Sequence, residues 1–376
     1  MNRENLLIVA DSERDANMLY AVRMFVPDPF IYLRLRGRCH VMINDLEVDR
    51  ARVQARHCSV HSLTQLQKRM RQEGAKKTGL PEVIRLLLRS AHLNKVCVPE
   101  NFPLGLARDL NRMKIRVRVR PGPFLPNRQF KTAEEVKKIS AALMMAEVGL
   151  AEGIHALKNS KIGRERRLMY HHVPLTAEKL RGIIDTAIMQ SGGLASHTIV
   201  AGGKQACDPH EPGHGVLRAH EPIILDVFPR SQKTGYFGDI TRTVVKGRAA
   251  PAVHKMYHAV ERAQQVAFSH LRSKTRARDV HEKVQKFFTD EGYETGRTKG
   301  RMQGFFHGTG HGVGLEIHEA PRLSPHSKDT LRAGHVVTVE PGLYYTELGG
   351  VRLEDVALVT SNGPRNLTKF EKFLEV

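Results

Sequence analysis

Cysteine is scarce in this chain of 376 residues. The four cysteines are widely separated in sequence and include no CxxC pair: Cys39, Cys58, Cys97 and Cys207. This spacing predicts neither a disulfide framework nor a cysteine metal site, and it is typical of proteins in a reducing compartment. We therefore expect a cytoplasmic protein.

Long apolar runs are missing as well. The longest ones, such as Pro222–Val227 and His335–Val339, fall far short of the ~20 residues that a membrane-spanning helix needs. The N-terminal residues do not form an apolar stretch followed by a cleavage site, so the sequence predicts no secretory signal. Neither export nor a membrane partner is expected.

Acidic residues are few relative to basic ones. The chain carries 59 Lys and Arg against 39 Asp and Glu, which gives a formal net charge of +20. The imbalance is greatest in residues 1–130, which hold 24 basic and 12 acidic side chains. Such a surface can attract nucleic acid. A solvated basic face is the simpler interpretation, so a nucleic-acid partner is disfavoured.

The chain is long enough for two domains, because single hydrophobic cores stop growing near ~250–300 residues. Residues 1–125 predict a small mixed α/β domain. Leucine alternates with arginine before Gly37, which indicates a β-hairpin over 30–45. The other elements predicted here are a helix over 81–94 and strands over 95–99 and 114–119. In the last strand, isoleucine and valine alternate with arginine, which predicts one buried and one solvated face.

The second domain is predicted to span residues 131–376. The Pro- and Gly-rich stretch 121–126 before it has the composition of a linker. Thr132 and Glu135 then form a capping box that opens a long helix to about Leu157. Two more helices are predicted between β-rich segments, over 252–273 and 277–292.

Five side chains that can bind metal ions lie within apolar or Gly-rich strand patterns of this domain. They are Asp226, Asp239, His311, Glu340 and Glu354. Any one of them alone is more often a surface or ion-paired residue. Burying a lone carboxylate costs several kcal/mol unless it is paired or bound to metal, so four of them in apolar strands need a shared source of positive charge. The sequence therefore predicts a metal centre.

The chemistry of this set indicates which ions it would hold. One imidazole and four carboxylates form a hard, oxygen-rich site that favours Mn²⁺, with Co²⁺, Fe²⁺ and Zn²⁺ as alternatives. Five protein ligands are too many for one catalytic zinc ion, so two divalent metal ions about 3.5–4 Å apart fit better. The pKa of a water shared by such ions falls from ~15.7 towards ~7, which yields hydroxide near neutral pH.

The order of these motifs resembles that of the pita-bread metallopeptidases, specifically the Xaa-Pro aminopeptidase and prolidase (Xaa-Pro dipeptidase) branch. The motifs that carry the resemblance are EPIILDVF, GYFGDITRTVVKG, FHGTGHGVGLEIHEAP, TVEPGLYY and GGVRLEDVALVT. It covers about residues 131–376 by motif and residues 1–125 by position. It implies an α/β (α+β) fold, in which a small N-terminal domain precedes a pita-bread domain with a curved antiparallel sheet, and it implies a homodimer.

The resemblance also implies a role for each candidate ligand. Asp226 resembles the aspartate that chelates one metal ion, and Asp239 and Glu354 resemble the two bridging carboxylates. His311 and Glu340 resemble the ligands that complete the other ion. We further expect Glu340 to relay a proton to the leaving nitrogen, which makes it both a ligand and a catalytic residue.

Other residues are implied to contact the substrate. His210 and His318 resemble histidines that contact the substrate or stabilise the tetrahedral intermediate, so both are expected to be catalytic. His307 resembles a further histidine that lines this pocket. Arg352 is expected to reach a substrate carboxylate or to form an ion pair, and Tyr344 is a candidate for lining the pocket.

The implied activity is hydrolysis of peptide bonds that precede proline, by a hydroxide that bridges two metal ions. The substrates would be peptides with proline at the second position, and the preferred peptide length stays open. One alternative is a methionine-aminopeptidase-like enzyme, which shares the GHGVG and HEAP motifs in outline. The other is a basic, non-catalytic pita-bread protein that binds RNA or chromatin, which the retained set of five ligands disfavours.

The sequence departs from the family pattern between two of the ligands. Asp226 and Asp239 lie thirteen residues apart, whereas the family usually has eleven, which indicates a two-residue insertion in a hairpin turn. Because the insertion falls in a connection, we expect the strand ends to keep the ligands in place and the change to affect the shape of the pocket.

Overall fold

The structure, a computed structural model, describes residues 4–376. Its backbone divides into two compact units, one ending at Pro126 and the other spanning Asn127–Val376. Both units mix helices with strands, which confirms the predicted α/β (α+β) class.

The N-terminal unit is a mixed sheet with helices packed on both faces. Its strands are β1 (Leu6–Ala10), β2 (Phe30–Leu35), β3 (Arg38–Ile43), β4 (Cys58–Ser62), β5 (Lys95–Val98) and β6 (Arg116–Val119). Its helices are α1 (Ala16–Val22), α2 (Asp45–Gln54), α3 (Leu63–Gln72), α4 (Leu80–Ser90) and α5 (Leu104–Arg112). The strands lie in the order β4-β3-β2-β1-β5-β6. Apolar side chains form one core on each face of the sheet.

The hairpin predicted around Gly37 is confirmed, and the strand predicted over 114–119 is only partly right. β2 pairs antiparallel with β3 through a turn in which Arg36 and Gly37 have φ values of 49° and 89°, a turn type that matches the twist of paired strands. In the later strand Ile115 is buried, but Val119 is 55% exposed. β6 lies at the edge of the sheet, so its last residues have few neighbours to cover them.

The C-terminal unit consists of antiparallel sheets and two pairs of helices. Its first strands are β7 (Lys161–Ile162), β8 (Leu168–Tyr170), β9 (Val173–Pro174), β10 (Gly193–Leu194), β11 (Ile199–Gly202), β12 (Pro222–Val227), β13 (Arg230–Ser231) and β14 (Ile240–Val245). The later strands are β15 (Gly296–Thr298), β16 (Arg301–Gln303), β17 (Gly310–Gly312), β18 (Glu319–Leu323), β19 (Val336–Val339), β20 (Gly342–Tyr345), β21 (Gly349–Arg352), β22 (Asp355–Thr360) and β23 (Gly363–Asn366). The helices are α6 (Ala133–Asn159), α7 (Ala177–Gln190), α8 (Pro251–His270) and α9 (Ala277–Asp290).

Two sheets of this unit supply most of the site. One has the order β11-β12-β14, and the other has the order β18-β17-β19-β22-β23. The helices predicted over 252–273 and 277–292 are confirmed as α8 and α9, whereas α7 was not predicted. Gln264 of α8 donates from Nε2 to the carbonyl oxygens of Val339 and Leu353, at 2.9 and 3.2 Å. These bonds fix the backbone directly before Glu340 and Glu354.

α6 begins at the predicted capping box and packs against α7. The Thr132 side chain accepts from the backbone of Glu135, whose side chain accepts from the backbone of Thr132. By length and composition α6 could cross a membrane, but half of its most apolar window is buried inside the protein. A Cβ at Gly149 would lie 2.6 Å from Cγ1 of Ile188 on α7, so the two helices pack at close range. Core packing therefore accounts for the apolar sequence of α6.

Candidate metal centre

The two aspartates of the centre lie at one end of the β12–β14 hairpin. Asp226 is the second-last residue of β12 and pairs with Thr241 of β14, while Asp239 directly precedes β14. The intervening segment forms β13, which pairs with β10. The longer connection therefore packs against β10, and the β12 and β14 ends beside the aspartates stay paired.

The other three predicted ligands lie on or beside the second sheet. His311 is the central residue of β17, Glu340 directly follows β19, and Glu354 lies between β21 and β22. β19 pairs with both β17 and β22, so these positions are neighbours. The backbone N–H of Glu354 donates to the carbonyl oxygen of Thr241 at 3.0 Å. This bond joins the two sheets at the centre.

Glycines on either side of His311 allow its strand to lie close to its neighbours. A Cβ at Gly310 would collide with the carbonyl oxygen of Thr338, and a Cβ at Gly312 would collide with that of Ala320. A side chain at either position would therefore push β17 away from the adjacent backbone. The Gly-rich sequence around His311 is explained by this packing.

The donor atoms converge in a buried space. His311 Nε2 lies 3.2 Å from Glu340 Oε1 and 3.8 Å from Asp239 Oδ2. One donor atom from each of Asp239, His311 and Glu354 lies within 4.8 Å of the others, and all three residues are buried. Distances of this size leave room for a cation between the side chains.

Hydroxyl groups and a guanidinium hold the carboxylates in position. Glu354 Oε2 accepts from the hydroxyl of Thr241 at 2.7 Å, and Glu340 Oε1 accepts from that of Thr338 at 3.1 Å. Asp226 Oδ2 accepts from Arg352 Nη2 at 2.7 Å. The other oxygen of Asp226, Oδ1, is buried without a hydrogen-bond partner among the residues that the structure describes. A buried acceptor of this kind is a position where a bound water or a cation is expected.

Electrostatics also indicate that positive charge belongs here. Burial raises the pKa of Asp226, Asp239 and Glu354, and neighbouring carboxylates raise each of them further. Burial also acts to raise the pKa of Glu340, but the hydrogen bond and charge of His311, together with the charges of His307 and Arg352, lower that pKa to about 2. The guanidinium of Arg352 offsets part of the negative charge of the group. Full ionisation of all four carboxyl groups therefore needs further cations.

The five side chains open onto a cavity of about 620 Å³. The predicted His210, His307, His318 and Arg352 also line it. Further lining residues that the sequence reasoning did not identify are Ile199, Asp208, Phe228, Phe306, Ile317, Arg322 and Ser324. Asp208, Phe228, Phe306 and Ile317 lie within two residues of predicted site residues, which is the one signal that could have found them. Ile199, Arg322 and Ser324 had no such signal, because their contribution depends on which segments meet in the fold.

The three cavity histidines other than His311 differ in their surroundings. His210 is exposed. The ring of His318 lies edge-on to that of His311, with centroids 4.4 Å apart, and burial lowers the pKa of His318 to about 4. His307 Nδ1 lies 2.8 Å from the carbonyl oxygen of Gly308, so this nitrogen carries the proton. His210 and His318 are therefore the exposed members of these three, and His307 is only partly exposed.

Tyr344 lies behind the cavity wall. Its ring is fully buried, and its hydroxyl lies 2.8 Å from His307 Nε2 and accepts from Arg352 Nη1 at 2.9 Å. Tyr344 thus links the other two side chains and is not among the residues that line the cavity within the described chain. Of the two roles considered for Arg352, the structure contains the ion pair, with Asp226.

A buried ion-pair cluster anchors the loop that carries His318. Glu319 Oε1 accepts from the backbone N–H groups of Leu315 and Glu316, at 3.0 and 3.2 Å. The same carboxylate accepts from Arg128 at Oε1 and from Lys131 at Oε2, both at 2.6 Å. The carboxylate of Glu319 thus bonds both the loop backbone and two side chains near the start of the C-terminal unit. It therefore holds the loop against that part of the chain.

Comparisons with known proteins agree with this geometry. The sequence pattern described as Metallopeptidase family M24 matches residues 137–361. The Xaa-Pro dipeptidase of Pyrococcus furiosus is 31% identical over 248 residues, which is 66% of this chain and 65% of the relative. The Xaa-Pro dipeptidase of Lactobacillus delbrueckii subsp. lactis is 29% identical over 250 residues, 66% of this chain and 62% of the relative. The matched part therefore spans slightly less than two thirds of these relatives.

Solved structures share the fold over almost the whole chain. The prolidase from Pyrococcus furiosus has a TM-score of 0.78 at 22% identity, and the alignment covers 98% of this chain and 97% of the prolidase chain. The X-Pro aminopeptidase from Thermotoga maritima MSB8 has a TM-score of 0.82 at 20% identity, and the alignment covers 99% of this chain and 97% of the aminopeptidase chain. The pita-bread fold implied by the sequence resemblance is confirmed.

Proposed function

The chain belongs to metallopeptidase family M24, and from this premise we propose that it hydrolyses peptide bonds that precede proline. The activity would be that of an Xaa-Pro dipeptidase or Xaa-Pro aminopeptidase. Relatives and fold neighbours that carry these names support the proposal. The observation that carries it is the convergence of one imidazole and four carboxylates on one cavity: Asp226, Asp239, His311, Glu340 and Glu354.

These residues fit divalent metal ions. The donor set is rich in carboxylate oxygen, and Oδ1 of Asp226 is buried with no hydrogen-bond partner among the described residues. Burial also raises the pKa of Asp226, Asp239 and Glu354. We propose that the five side chains hold two ions, with Mn²⁺ favoured over Co²⁺, Fe²⁺ and Zn²⁺. When bound, such ions lower the pKa of water and polarise a substrate carbonyl.

The protein's own side chains then bind and orient the substrate. Ile199, Phe228, Phe306 and Ile317 give the cavity an apolar part that suits a pyrrolidine ring. His210 and His318 would donate hydrogen bonds to the oxygen that becomes negative as the peptide bond is attacked. Glu340, which Thr338 and His311 hold in place, would pass a proton to the leaving proline nitrogen.

Arg322 bears on the length of the substrate. It places a cation in the same cavity as His318, where the guanidinium can pair with the free carboxylate of a dipeptide. In a longer peptide an uncharged amide occupies the corresponding position. We therefore favour the dipeptide, and Arg322→Ala should raise KM for Xaa-Pro dipeptides more than for Xaa-Pro-Ala tripeptides.

The test is cleavage of Xaa-Pro dipeptides and tripeptides by purified, Mn²⁺-loaded protein, beside Xaa-Ala and Met-Ala peptides of equal length. Cleavage should be confined to bonds before proline and should fall by orders of magnitude in Asp239→Asn and Glu354→Gln. Glu134→Gln, at an exposed carboxylate of α6, is the matched control and should leave activity unchanged. Metal-loaded protein that cleaves none of these peptides would overturn the proposal, and cleavage of the Met-Ala peptide alone would favour the methionine-aminopeptidase alternative.

A further inference from the structure

Two cysteines of the N-terminal unit, far apart in sequence, are direct neighbours in the sheet. Cys39 of β3 pairs in register with Cys58 of the parallel strand β4. Side chains in register on adjacent strands point to the same face, and both cysteines pack on the same apolar core. Each of the two cysteines is only partly buried, so part of its surface is open to solvent.

The surroundings of the pair favour a reactive thiol at Cys39. The hydroxyl of Tyr32 lies 3.1 Å from Cys39 Sγ, and Arg34 is the residue opposite Cys39 on β2. The hydrogen bond from Cys58 lowers the pKa of Cys39 to about 6, with a further contribution from Tyr32. The same hydrogen bond raises the pKa of Cys58. One sulfur is therefore suited to attack as a thiolate, and the other retains its proton beside it.

We propose that Cys39 and Cys58 form a redox-active dithiol that hydrogen peroxide converts into a reversible disulfide between β3 and β4. The Cys39 thiolate attacks one peroxide oxygen, which breaks the O–O bond, releases hydroxide and leaves a sulfenic acid. The Cys58 thiol then attacks that sulfur, forms the S–S bond and releases water. The two thiols lose two electrons in all, and hydrogen peroxide is reduced to two waters.

Strand geometry allows this bond and makes it reducible. Adjacent strands lie about 4.7–4.9 Å apart, within the roughly 4.4–6.8 Å that a disulfide requires between Cα atoms. Cβ atoms in register on parallel strands are about as far apart as the strands, slightly more than the usual 3.5–4.5 Å or so between bridged Cβ atoms. The strands must therefore tighten locally, and such a disulfide is readily reduced by thiols.

The experiment uses the full chain, pre-reduced and treated with a small molar excess of hydrogen peroxide, followed by peptide mapping. A peptide that joins Cys39 to Cys58 should appear and should disappear with dithiothreitol. Cys97→Ser is the matched control, at a partly buried cysteine of the same sheet, and should form the same linkage. In Cys58→Ser, dimedone should label a sulfenic acid at Cys39.

Tyr32→Phe keeps both thiols and tests the contact to Cys39 Sγ. It should slow linkage several-fold without preventing it, and it serves as an independent measurement if a cysteine variant fails to fold. The proposal is wrong if peroxide oxidises Cys97 or Cys207 while Cys39 and Cys58 stay reduced, or if a linkage forms with a different partner. Because the readout is thiol chemistry, the result does not depend on peptidase activity.

Discussion

Glu319 gives the sharpest quantitative prediction, because its carboxylate is buried between two cations. Its side chain is 5% exposed, and those of Lys131 and Arg128 are 2% and 11% exposed. Glu319→Gln keeps the size of the side chain and one carbonyl oxygen for the loop N–H groups, but it removes the charge. Lys131 then stays buried without its carboxylate partner, and Arg128 keeps only the exposed carboxylate of Glu316.

Breaking a buried ion pair by removing one partner costs about 3–5 kcal/mol. We therefore expect Glu319→Gln to lower the free energy of unfolding of the C-terminal unit by about that amount. Since 1 kcal/mol corresponds to about 2–4 °C in a unit of this size, its Tm should fall by roughly 6–20 °C. Glu316→Gln is the matched control: its side chain is 58% exposed although it also contacts Arg128. Its cost should stay near ~0–1 kcal/mol.

The assay is urea unfolding of both variants and the parent protein, repeated from neutral to acidic pH. Burial alone would raise the pKa of Glu319, but Lys131 and Arg128 outweigh it and lower that pKa. A carboxyl group with a lowered folded-state pKa stabilises the fold above its unfolded pKa, and this contribution is lost as the pH falls through the folded value. The gap between parent and Glu319→Gln should therefore close in acid. A loss below ~1 kcal/mol at neutral pH would refute the reasoning, since that is the scale of an exposed pair.

Other predictions concern the metal centre. Burial raises the pKa of Asp226, Asp239 and Glu354. Above pH about 4 the metal-free folded protein therefore keeps protons that the unfolded chain has released. The stability of the metal-free protein should fall as the pH rises through the raised pKa values. Scanning calorimetry should show this decline. Mn²⁺ at 100 times its Kd should add about 2.7 kcal/mol to the free energy of unfolding. A Tm independent of both pH and Mn²⁺ would contradict the assignment of these residues as metal ligands. Thr241→Val removes the hydroxyl that donates to Glu354 and should weaken Mn²⁺ binding by about 10–100-fold in titration calorimetry. Arg352→Leu breaks the buried ion pair with Asp226 and should lower the free energy of unfolding in urea by about 3–5 kcal/mol. A loss near zero would show that Asp226 is protonated in the folded protein.

The sequence was most informative where a charged side chain lies within an apolar strand pattern. A carboxylate in an apolar strand needs an explanation, and this conflict led to Asp226 and Glu354 before their neighbours were known. The supporting groups had no comparable signal. Thr241 is an ordinary strand residue until the fold places its hydroxyl on Glu354, 113 residues later in the chain, and register between distant strands is not encoded locally.

Local sequence patterns predicted some helices and strands of the fold and missed others. The capping box at Thr132 predicted the start of α6 because it acts within one turn of helix. α7 had a usable pattern, with apolar residues at 180, 184, 187 and 188 after Thr176, but its sequence carried no chemistry that drew attention to it. The exposure of Val119 depends on β6 being an edge strand, which is a property of the sheet order.

Metal binding and the joining of the two ligand-bearing sheets are expected to be coupled. Thr241 and Glu354 bond each other twice, once through the backbone and once through side chains, and they belong to different sheets. The carboxylates that meet at this junction repel one another when they are ionised and no cation is present. Ions bound to both sides would replace this repulsion with attraction across the same contacts, so metal should slow amide hydrogen exchange at Glu354 more than at residues of α7. Equal protection of the two regions by Mn²⁺ would mean that the ligands do not bridge the sheets.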